Sequence, residues 1–235
     1  MFNLLWGALF VLVGFAFFLL CYRLFGKKGL YAWIGVATVI ANIQVAKTID
    51  LFGITMTLGN TMYVSLYMTS DLLNEKFGRA EARKAVWFGF FTLIMTTIIM
   101  QMALVFKPGT EDFAQDSLQV IFGLMPRLAL ASLTAYFVSQ LLDVRLYAWI
   151  RRFYPKRSQL WIRNNGSTMI SSFVDTLIFC SIAFLGEGYS MGTWLEILFT
   201  TYIIKFVLTA VGTPFMYIAR NFHHEEDGAE LPVQS

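Results

Sequence analysis

Three ionisable residues lie within segments of the sequence that are otherwise uncharged and apolar. They are Arg127, Asp175 and Lys205. The stretch "SSFVDTLIFC" (171–180) places Asp175 at the centre of residues 164–186, which contain no other charged residue. A charge that is removed from water must be paired or hydrogen-bonded. The three residues therefore either hold helices together through a salt bridge or form a site for a polar ligand.

Polar residues near these charges follow the repeat of an α-helix. One stripe has the spacing i, i+4, i+7, i+11 and contains Asn164, Thr168, Ser171 and Asp175. A second has the spacing i, i+3, i+7, i+11, i+14 and contains Asn60, Tyr63, Tyr67, Asp71 and Asn74. Each set shares one helix face. Interhelical hydrogen bonds are one interpretation; the stripes together favour the lining of a polar cavity.

The elements that must position these residues are membrane helices. Hydrophobic residues make up 57% of the chain and charged residues 14%, and the mean hydropathy is +0.61. Ordinary soluble domains are roughly 25% charged. A spanning helix needs about 20 predominantly apolar residues, and seven segments meet this requirement: 2–22, 29–46, 51–70, 85–106, 117–142, 164–186 and 197–219. The sequence thus predicts an all-α, polytopic membrane helical bundle.

The domain organisation follows from the same pattern. Residues 1–220 form a single transmembrane domain, and residues 221–235 form a polar cytoplasmic tail that we expect to be disordered. Only residues 47–50 separate the second and third segments, so a single re-entrant element is the alternative to two full spans there.

The distribution of Lys and Arg predicts the orientation of the helices. The loops after the first, third, fifth and seventh spans contain 14 of these residues, whereas the other loops contain two. Cytoplasmic loops carry the excess of positive charge, so we expect the N-terminus outside and the C-terminus in the cytoplasm. The net charge of +3 is therefore a signal of topology and does not indicate a nucleic-acid partner.

The three charges are predicted to lie at similar depths, near the middle of the bilayer. Each costs roughly 2.5–3.5 kcal/mol there, so each should face the interior of the bundle. One salt bridge would use two of them and leave a net cation. A purine-like ring could donate two hydrogen bonds to the Asp175 carboxylate while it stacks on Tyr63 or Tyr67.

Motifs of several enzyme classes are absent from the sequence. It contains no Walker-type glycine-lysine loop, no His-Glu-x-x-His zinc motif and no glycine-flanked nucleophilic serine. Its two histidines, His223 and His224, lie in the polar tail. We therefore expect no catalytic residues, no bound metal and no cofactor, and we do not expect an enzyme.

Four segments resemble the queuosine precursor transporter family, formerly called the vitamin uptake transporter family. They are "TSDLLNEKFGRAEARK" (69–84), "RLALASLTAYFVSQLLDV" (127–144), "RNNGSTMISSFVDTLIF" (163–179) and "YIIKFVLTAVGTPFMY" (202–217). The resemblance covers roughly residues 30–220. It implies a multi-pass protein of the cell inner membrane that imports 7-deazaguanine bases, the 7-cyano and 7-aminomethyl forms, for the queuosine modification of tRNA. Members have six helices, so span 2–22 is additional.

The resemblance places the polar positions of the family on six residues of this chain, which are Asp71, Arg127, Gln140, Asp143, Asp175 and Lys205. Together with Asn60, Tyr63, Tyr67, Thr168 and Ser171, these form the predicted substrate-binding set. Asp175 would receive the N–H donors of the ring. For Asp71 and Asp143, a helix-end ion pair that closes an inner gate is the alternative to substrate contact.

Other classes of protein compete with the transporter. The chain could be the substrate-binding membrane subunit of an energy-coupling-factor importer, or an intramembrane enzyme or assembly factor. A homodimer through Gly7 and Gly14, which share one face of the first span, is a further hypothesis. The sequence does not distinguish the two 7-deazaguanine forms from each other or from queuine.

Overall fold

The computed structural model describes residues 2–45, 47–51, 54–123, 126–184 and 190–224. At residues 45, 48, 50, 51, 54–57, 126–129, 183, 184, 193, 196 and 197 it describes the backbone alone. The elements in chain order are α1 (Phe2–Val45), β1 (Thr48–Leu51), β2 (Ile54–Thr57), α2 (Asn60–Phe77), α3 (Arg79–Val105), α4 (Gln115–Phe122), α5 (Pro126–Phe153), a 3₁₀ turn (Arg157–Gln159), α6 (Leu160–Phe184) and α7 (Met191–Arg220).

Helix α1 consists of two antiparallel arms that meet at Gly26. This residue has a φ of 55°, a left-handed conformation that glycine adopts without steric cost. The reversal brings Gly29 against the backbone of Cys21, and it places the Phe18 ring 6.2 Å from the ring of Trp33. The arms, residues 2–25 and 27–45, correspond to the first two predicted segments.

A short β-hairpin follows α1, where the sequence predicted the start of a helical span at residue 51. Strands β1 and β2 pair antiparallel, with Thr48 opposite Thr57 and Leu51 opposite Ile54. The prediction of helix over 51–70 is therefore wrong at its start, because α2 begins at Asn60 and continues to Phe77. These strands are rich in Thr and Ile, whose β-branched side chains favour extended structure. Hydropathy alone does not register that preference.

Helix α2 is the central element of the bundle. Of its 18 residues, 16 are buried, and it contacts α1, α3, α5, α6 and α7. On average its residues are far less hydrophobic than those of α1, α3 and α7. Tyr67, Asp71 and Glu75 are among its buried polar side chains. A helix that is surrounded by protein can be polar, provided that its neighbours satisfy its hydrogen-bonding groups.

The predicted fifth span, 117–142, is divided in the structure. Residues 115–122 form α4, and α5 begins at Pro126 and extends to Phe153. The basic stretch "RLYAWIRRF" belongs to the last turns of α5 and lies beyond residue 142, where the predicted span ends. The link between α5 and α6 is short, since α6 begins at Leu160.

The helix ends that were predicted to be cytoplasmic meet at one end of the bundle. The last turns of α2, α5 and α7 and the first turn of α6 are joined there by ion pairs to Glu75. At the same end, Lys27 beside the turn of α1 pairs with Glu81 near the start of α3. Seven long helical segments, counting the two arms of α1, therefore alternate in direction through the described part of the chain.

The outer surface of the bundle is strongly apolar. Within the described residues, three helical segments are long and apolar enough to cross a membrane: Phe2–Gln44, Arg79–Val105 and Leu198–Arg220. Large exposed side chains such as Phe91, Ile98 and Phe199 point away from the interior. An apolar exterior around a polar interior is the arrangement typical of a helical membrane protein.

Gly14 does not lie on an outward face of α1. A Cβ atom at this position would lie 3.0 Å from the Met62 side chain, so Gly14 is a contact between α1 and α2. A Cβ atom at Gly7 would meet no atom within 4 Å beyond its own stretch of helix. The two glycines that suggested a homodimer therefore do not form one available surface within the described structure.

Candidate functional site

Three polar layers lie along the axis of the bundle, each one helical turn from the next. Helix α2 contributes Tyr67, Asp71 and Glu75; α5 contributes Ser139, Asp143 and Tyr147; α6 contributes Asp175, Ser171, Ser167 and Arg163. Successive residues on each helix are four positions apart, which is about 6 Å along a helix. On α6, Ser171 and Ser167 both belong to the layer of Asp71 and Asp143. We refer to these layers as the middle, inner and cytoplasmic layers, in the order of approach to the predicted cytoplasmic end.

The middle layer is built around a buried ion pair. Lys205 Nζ of α7 donates to Asp175 Oδ2 of α6 at 2.5 Å, and the two residues are only 5% and 6% exposed. Ser139 Oγ of α5 lies 3.0 Å from Asp175 Oδ1, so both carboxylate oxygens have partners. Tyr67 OH of α2 lies 3.1 Å from the same hydroxyl. One continuous hydrogen-bonded chain thus joins four helices.

Tyr63 lies beside this chain. The Lys205 ammonium is 5.8 Å from the centre of its ring, which is a cation–π distance. An aromatic face and an ion pair therefore adjoin each other in the middle layer. Asn60, also from the predicted set, is buried at the first turn of α2, farther from the cytoplasmic end. The side chain of Arg127 lies outside the described residues, although its backbone belongs to α5.

The inner layer brings two carboxyl groups together. Asp71 and Asp143 lie within hydrogen-bonding reach of each other, and both are completely buried. Ser171 donates to Asp143 at 2.7 Å. Ser167 and Thr168 lie 3.5 Å from Asp71. Among the described residues, neither carboxyl group forms an ion pair.

Two buried amides beside the inner layer have unused hydrogen-bonding capacity. Gln140 accepts from Ser70 through Oε1 at 3.3 Å, but its Nε2 has no partner among the described atoms. Both amide atoms of Asn164 likewise have none. The two residues are 1% and 0% exposed. Buried donors without partners are costly, and such groups are typical of sites that receive a polar ligand or ordered water.

The cytoplasmic layer closes the end of the bundle. Glu75 accepts from Arg163 at 2.7 Å and from Arg220 at 2.8 Å, and Arg151 lies 3.6 Å away. Tyr147 donates to the second carboxylate oxygen at 3.0 Å. Arg163 is completely buried, although the sequence placed it in a loop. This network ties α2, α5, α6 and α7 together at the predicted cytoplasmic end.

Several members of the layers were missed by sequence reasoning. They are Ser70, Glu75, Ser139, Tyr147, Arg163 and Ser167. Five of these six lie four residues from a predicted residue, as Glu75 follows Asp71 and Ser139 precedes Asp143, whereas Arg163 does not. The pairing of neighbours between helices, such as Ser139 with Asp175, has no signal in a single sequence.

Other parts of the described structure are poorer candidates for binding a polar solute. A cavity of about 470 Å³ lies between the arms of α1, but its lining is almost wholly hydrophobic, with Phe17 and Trp33 among its walls. Within the described residues, no group of three His, Cys, Asp or Glu side chains is arranged to hold a metal ion. The polar layers are therefore the candidate site.

A bundle of long helices with an apolar exterior and a buried polar column defines a helical membrane protein whose interior is suited to a polar solute. The sequence matches the family described as "Putative vitamin uptake transporter" over residues 57–219. The chain belongs to this family. The resemblance that the sequence motifs indicated is thus confirmed.

Three curated relatives extend this result. A "Probable queuosine precursor transporter" of Bacillus subtilis (strain 168) is 50% identical over 94% of this chain and 96% of its own length. The "Queuosine precursor transporter" of Escherichia coli (strain K12) is 24% identical over 73% of this chain and 75% of its own. A "Probable queuosine precursor transporter" of Haemophilus influenzae is 27% identical over 66% and 63%. No solved structure matches the chain significantly.

Proposed function

We propose that the chain imports queuosine precursors, the 7-cyano and 7-aminomethyl forms of 7-deazaguanine, across the cell inner membrane. The observation that carries the proposal is the buried polar column across α2, α5, α6 and α7, with an ion pair at its centre. The names of the relatives supply the substrate class, since each is called a queuosine precursor transporter.

The middle layer has the chemistry to recognise the ring. A 7-deazaguanine base carries an N–H donor beside a carbonyl acceptor on the same edge. The Asp175 carboxylate and the Lys205 ammonium present the complementary pair, acceptor beside donor. A base that enters between them would exchange one salt bridge for charge-assisted hydrogen bonds to both groups. Tyr63 and Tyr67 supply aromatic faces next to the ring, and Arg127 and Asn60 belong to the same proposed set.

We propose that the base next binds to the inner layer, after it leaves the middle layer. Asp71, Asp143 and the Gln140 amide lie one turn closer to the cytoplasmic end, with Thr168 and Ser171 as hydroxyl partners. Their hydrogen-bonding groups can replace those of the middle layer as the base moves. Because the Glu75 network closes the cytoplasmic end in this structure, release of the base requires these ion pairs to separate.

The orientation follows from the same arrangement. We propose seven membrane spans, namely the two arms of α1 and the helices α2, α3, α5, α6 and α7, with the N-terminus outside and the C-terminus in the cytoplasm. The convergence of the basic helix ends at one end of the bundle supports this orientation. A cysteine in place of Phe113 should react with a membrane-impermeant maleimide in intact cells. A cysteine in place of Lys156 should react only after lysis.

Transport by the chain alone is tested in proteoliposomes with radiolabelled 7-cyano-7-deazaguanine. We expect saturable entry that unlabelled base inhibits, and no such entry in vesicles without protein. Binding without entry would instead indicate a substrate-binding subunit that needs partner proteins. Absence of both binding and entry would overturn the proposed substrate.

A further inference from the structure

A basic cavity lies on the outside of the bundle, between the start of α3 and the end of α5. Its volume is about 440 Å³, and its lining consists of Arg79, Arg145, Leu146, Ala148, Trp149 and Arg152. The three arginines are exposed, and no described carboxylate pairs with any of them. The cavity is separate from the polar column and has no part in the proposed path of the base.

Three of the five lining residues that α5 contributes share one helix face. Arg145, Trp149 and Arg152 have the spacing i, i+4, i+7. Arg79 approaches them from the first turn of α3, so the guanidinium groups surround a common space. Guanidinium groups bind phosphate oxygens in a bidentate manner. Without a carboxylate partner, the site is complementary to an anion of the phosphate type.

The apolar surface that continues from the cavity indicates what carries that phosphate. On α5, Val138 lies seven residues before Arg145, which is about 10 Å along the axis. Val138 is 40% exposed, and on the adjoining surface of α3 Phe91 is 62% exposed. The rings of Trp87 and Phe137, 4.9 Å apart, close the surface between the two helices. A positively charged cavity next to an apolar surface is complementary to a phospholipid, whose headgroup is charged and whose acyl chains are apolar.

The position of Trp149 agrees with this arrangement. Its side chain is 56% exposed and lies among the arginines. Trp is enriched at the level of the lipid headgroups. Basic pockets between membrane helices on the cytoplasmic side bind anionic headgroups.

We propose that this cavity binds the phosphate headgroup of an anionic phospholipid from the cytoplasmic leaflet, with the acyl chains against the α3–α5 surface. The proposal requires that α3 and α5 span the membrane. It does not require that the chain transports a queuosine precursor, and its test contains no transport measurement.

The test is native mass spectrometry of the full chain in a neutral detergent. Phosphatidylglycerol and phosphatidylcholine with identical acyl chains are the probes. We expect phosphatidylglycerol to remain bound in preference to phosphatidylcholine. In the variant Arg145→Gln/Arg152→Gln its affinity should fall roughly 30-fold, at about 1 kcal/mol for each basic residue. Equal binding of the two lipids by the native chain would overturn the proposal.

A matched variant controls for the loss of net charge. Lys28→Gln/Arg157→Gln removes two exposed positive charges. They also lie on the predicted cytoplasmic side of the protein, but outside the cavity. Its affinity for phosphatidylglycerol should stay within about threefold of native. If the affinity for phosphatidylglycerol falls equally in both double variants, the lipid is attracted by the overall positive charge of the surface. The cavity is then not a specific site. Should the Arg145→Gln/Arg152→Gln chain fail to fold, Arg79→Gln alone should weaken binding about fivefold.

A competition arm distinguishes a lipid from a soluble anion. Inorganic phosphate and glycerol phosphate are added to the complex with phosphatidylglycerol. We expect neither to displace the lipid at equal concentration, because they lack the acyl chains that contact the apolar wall. Displacement by either at equal concentration would show a site for soluble anions and would contradict the assignment to lipid.

Discussion

Lys205 of α7 donates to the Asp175 carboxylate of α6 at 2.5 Å, and the two side chains lie in the interior of the bundle. This ion pair is the only one with both partners under 10% exposed outside the Glu75 cluster, within the part of the chain that the structure describes. An isolated charge at that position would be costly. The pair therefore serves both as a link between helices and as the polar centre of the proposed site.

The ion pair predicts a non-additive effect on stability. Asp175→Asn alone leaves the Lys205 ammonium without its counter-charge, and we expect the free energy of unfolding to fall by about 3 kcal/mol. The double variant Asp175→Asn/Lys205→Met removes both charges and should recover most of that loss, while uptake remains absent. Chemical unfolding in detergent micelles measures the effect, with Asp116→Asn in the exposed helix α4 as the control. Additive losses would contradict a direct pair.

Substitution of Gln140 distinguishes a role of its amide in binding the base from a role in the stability of the fold. Its Nε2 is buried without a described partner, so Gln140→Leu removes an unsatisfied donor. We expect the free energy of unfolding to stay the same or to rise. The KM for uptake of the base should rise about tenfold, because one hydrogen bond to the ligand is worth about 1.4 kcal/mol.

The control for this prediction is Gln119→Leu, on the exposed surface of α4. It should change neither quantity. A Gln140→Leu chain that unfolds more easily, with unchanged KM, would show that the amide has a structural partner and does not contact the base.

Glu75 predicts a large loss of stability. Its carboxylate, only 5% exposed, balances Arg163 and Arg220 at one end of the bundle. Glu75→Gln leaves these guanidinium groups without a counter-charge, and we expect the free energy of unfolding to fall by about 3–5 kcal/mol. Thermal unfolding monitored by tryptophan fluorescence measures the change. Glu111→Gln, at an exposed loop position, should leave the melting temperature unchanged.

Gly26 tests the turn between the arms of α1. With a φ of 55°, alanine at this position adopts a strained backbone, and its Cβ would lie 3.3 Å from the His224 ring. We expect Gly26→Ala to lower the free energy of unfolding by about 1–2 kcal/mol. Gly7→Ala, in a helix with open space around it, should have no effect or should stabilise. If both substitutions lowered the free energy of unfolding, or both raised it, this would argue against a positive φ at Gly26.

The sequence predicted the helices well where hydropathy determines them. The two arms of α1, helix α3 and helix α7 are apolar along their length and correspond to predicted segments. Hydropathy failed at β1 and β2, because it does not register the preference of their β-branched Thr and Ile residues for extended structure. It also failed at the end of α5, where Arg145 and Arg152 are solvated although they continue a helix.

The candidate site was predicted in part. The polar stripes identified Asp71, Thr168, Ser171 and Asp175, because four-residue spacing is visible in one sequence. Helix pairing is not visible, so the contact between Asp71 and Asp143 was unforeseen. Glu75 and Arg163 were missed because charged residues near helix ends resemble solvated loop residues. Their burial depends on four helices that meet at one end of the bundle.

The central claim is that the chain imports a queuosine precursor through a site that contains Asp175. The most direct measurement is the queuosine content of tRNA in cells that cannot synthesise the precursor, supplied with 7-cyano-7-deazaguanine. Native chain and Asp175→Asn are compared at matched abundance in the membrane. We predict that the native chain restores queuosine and that the variant does not. Restoration by the variant to the native level, or no restoration by the native chain, would contradict the account.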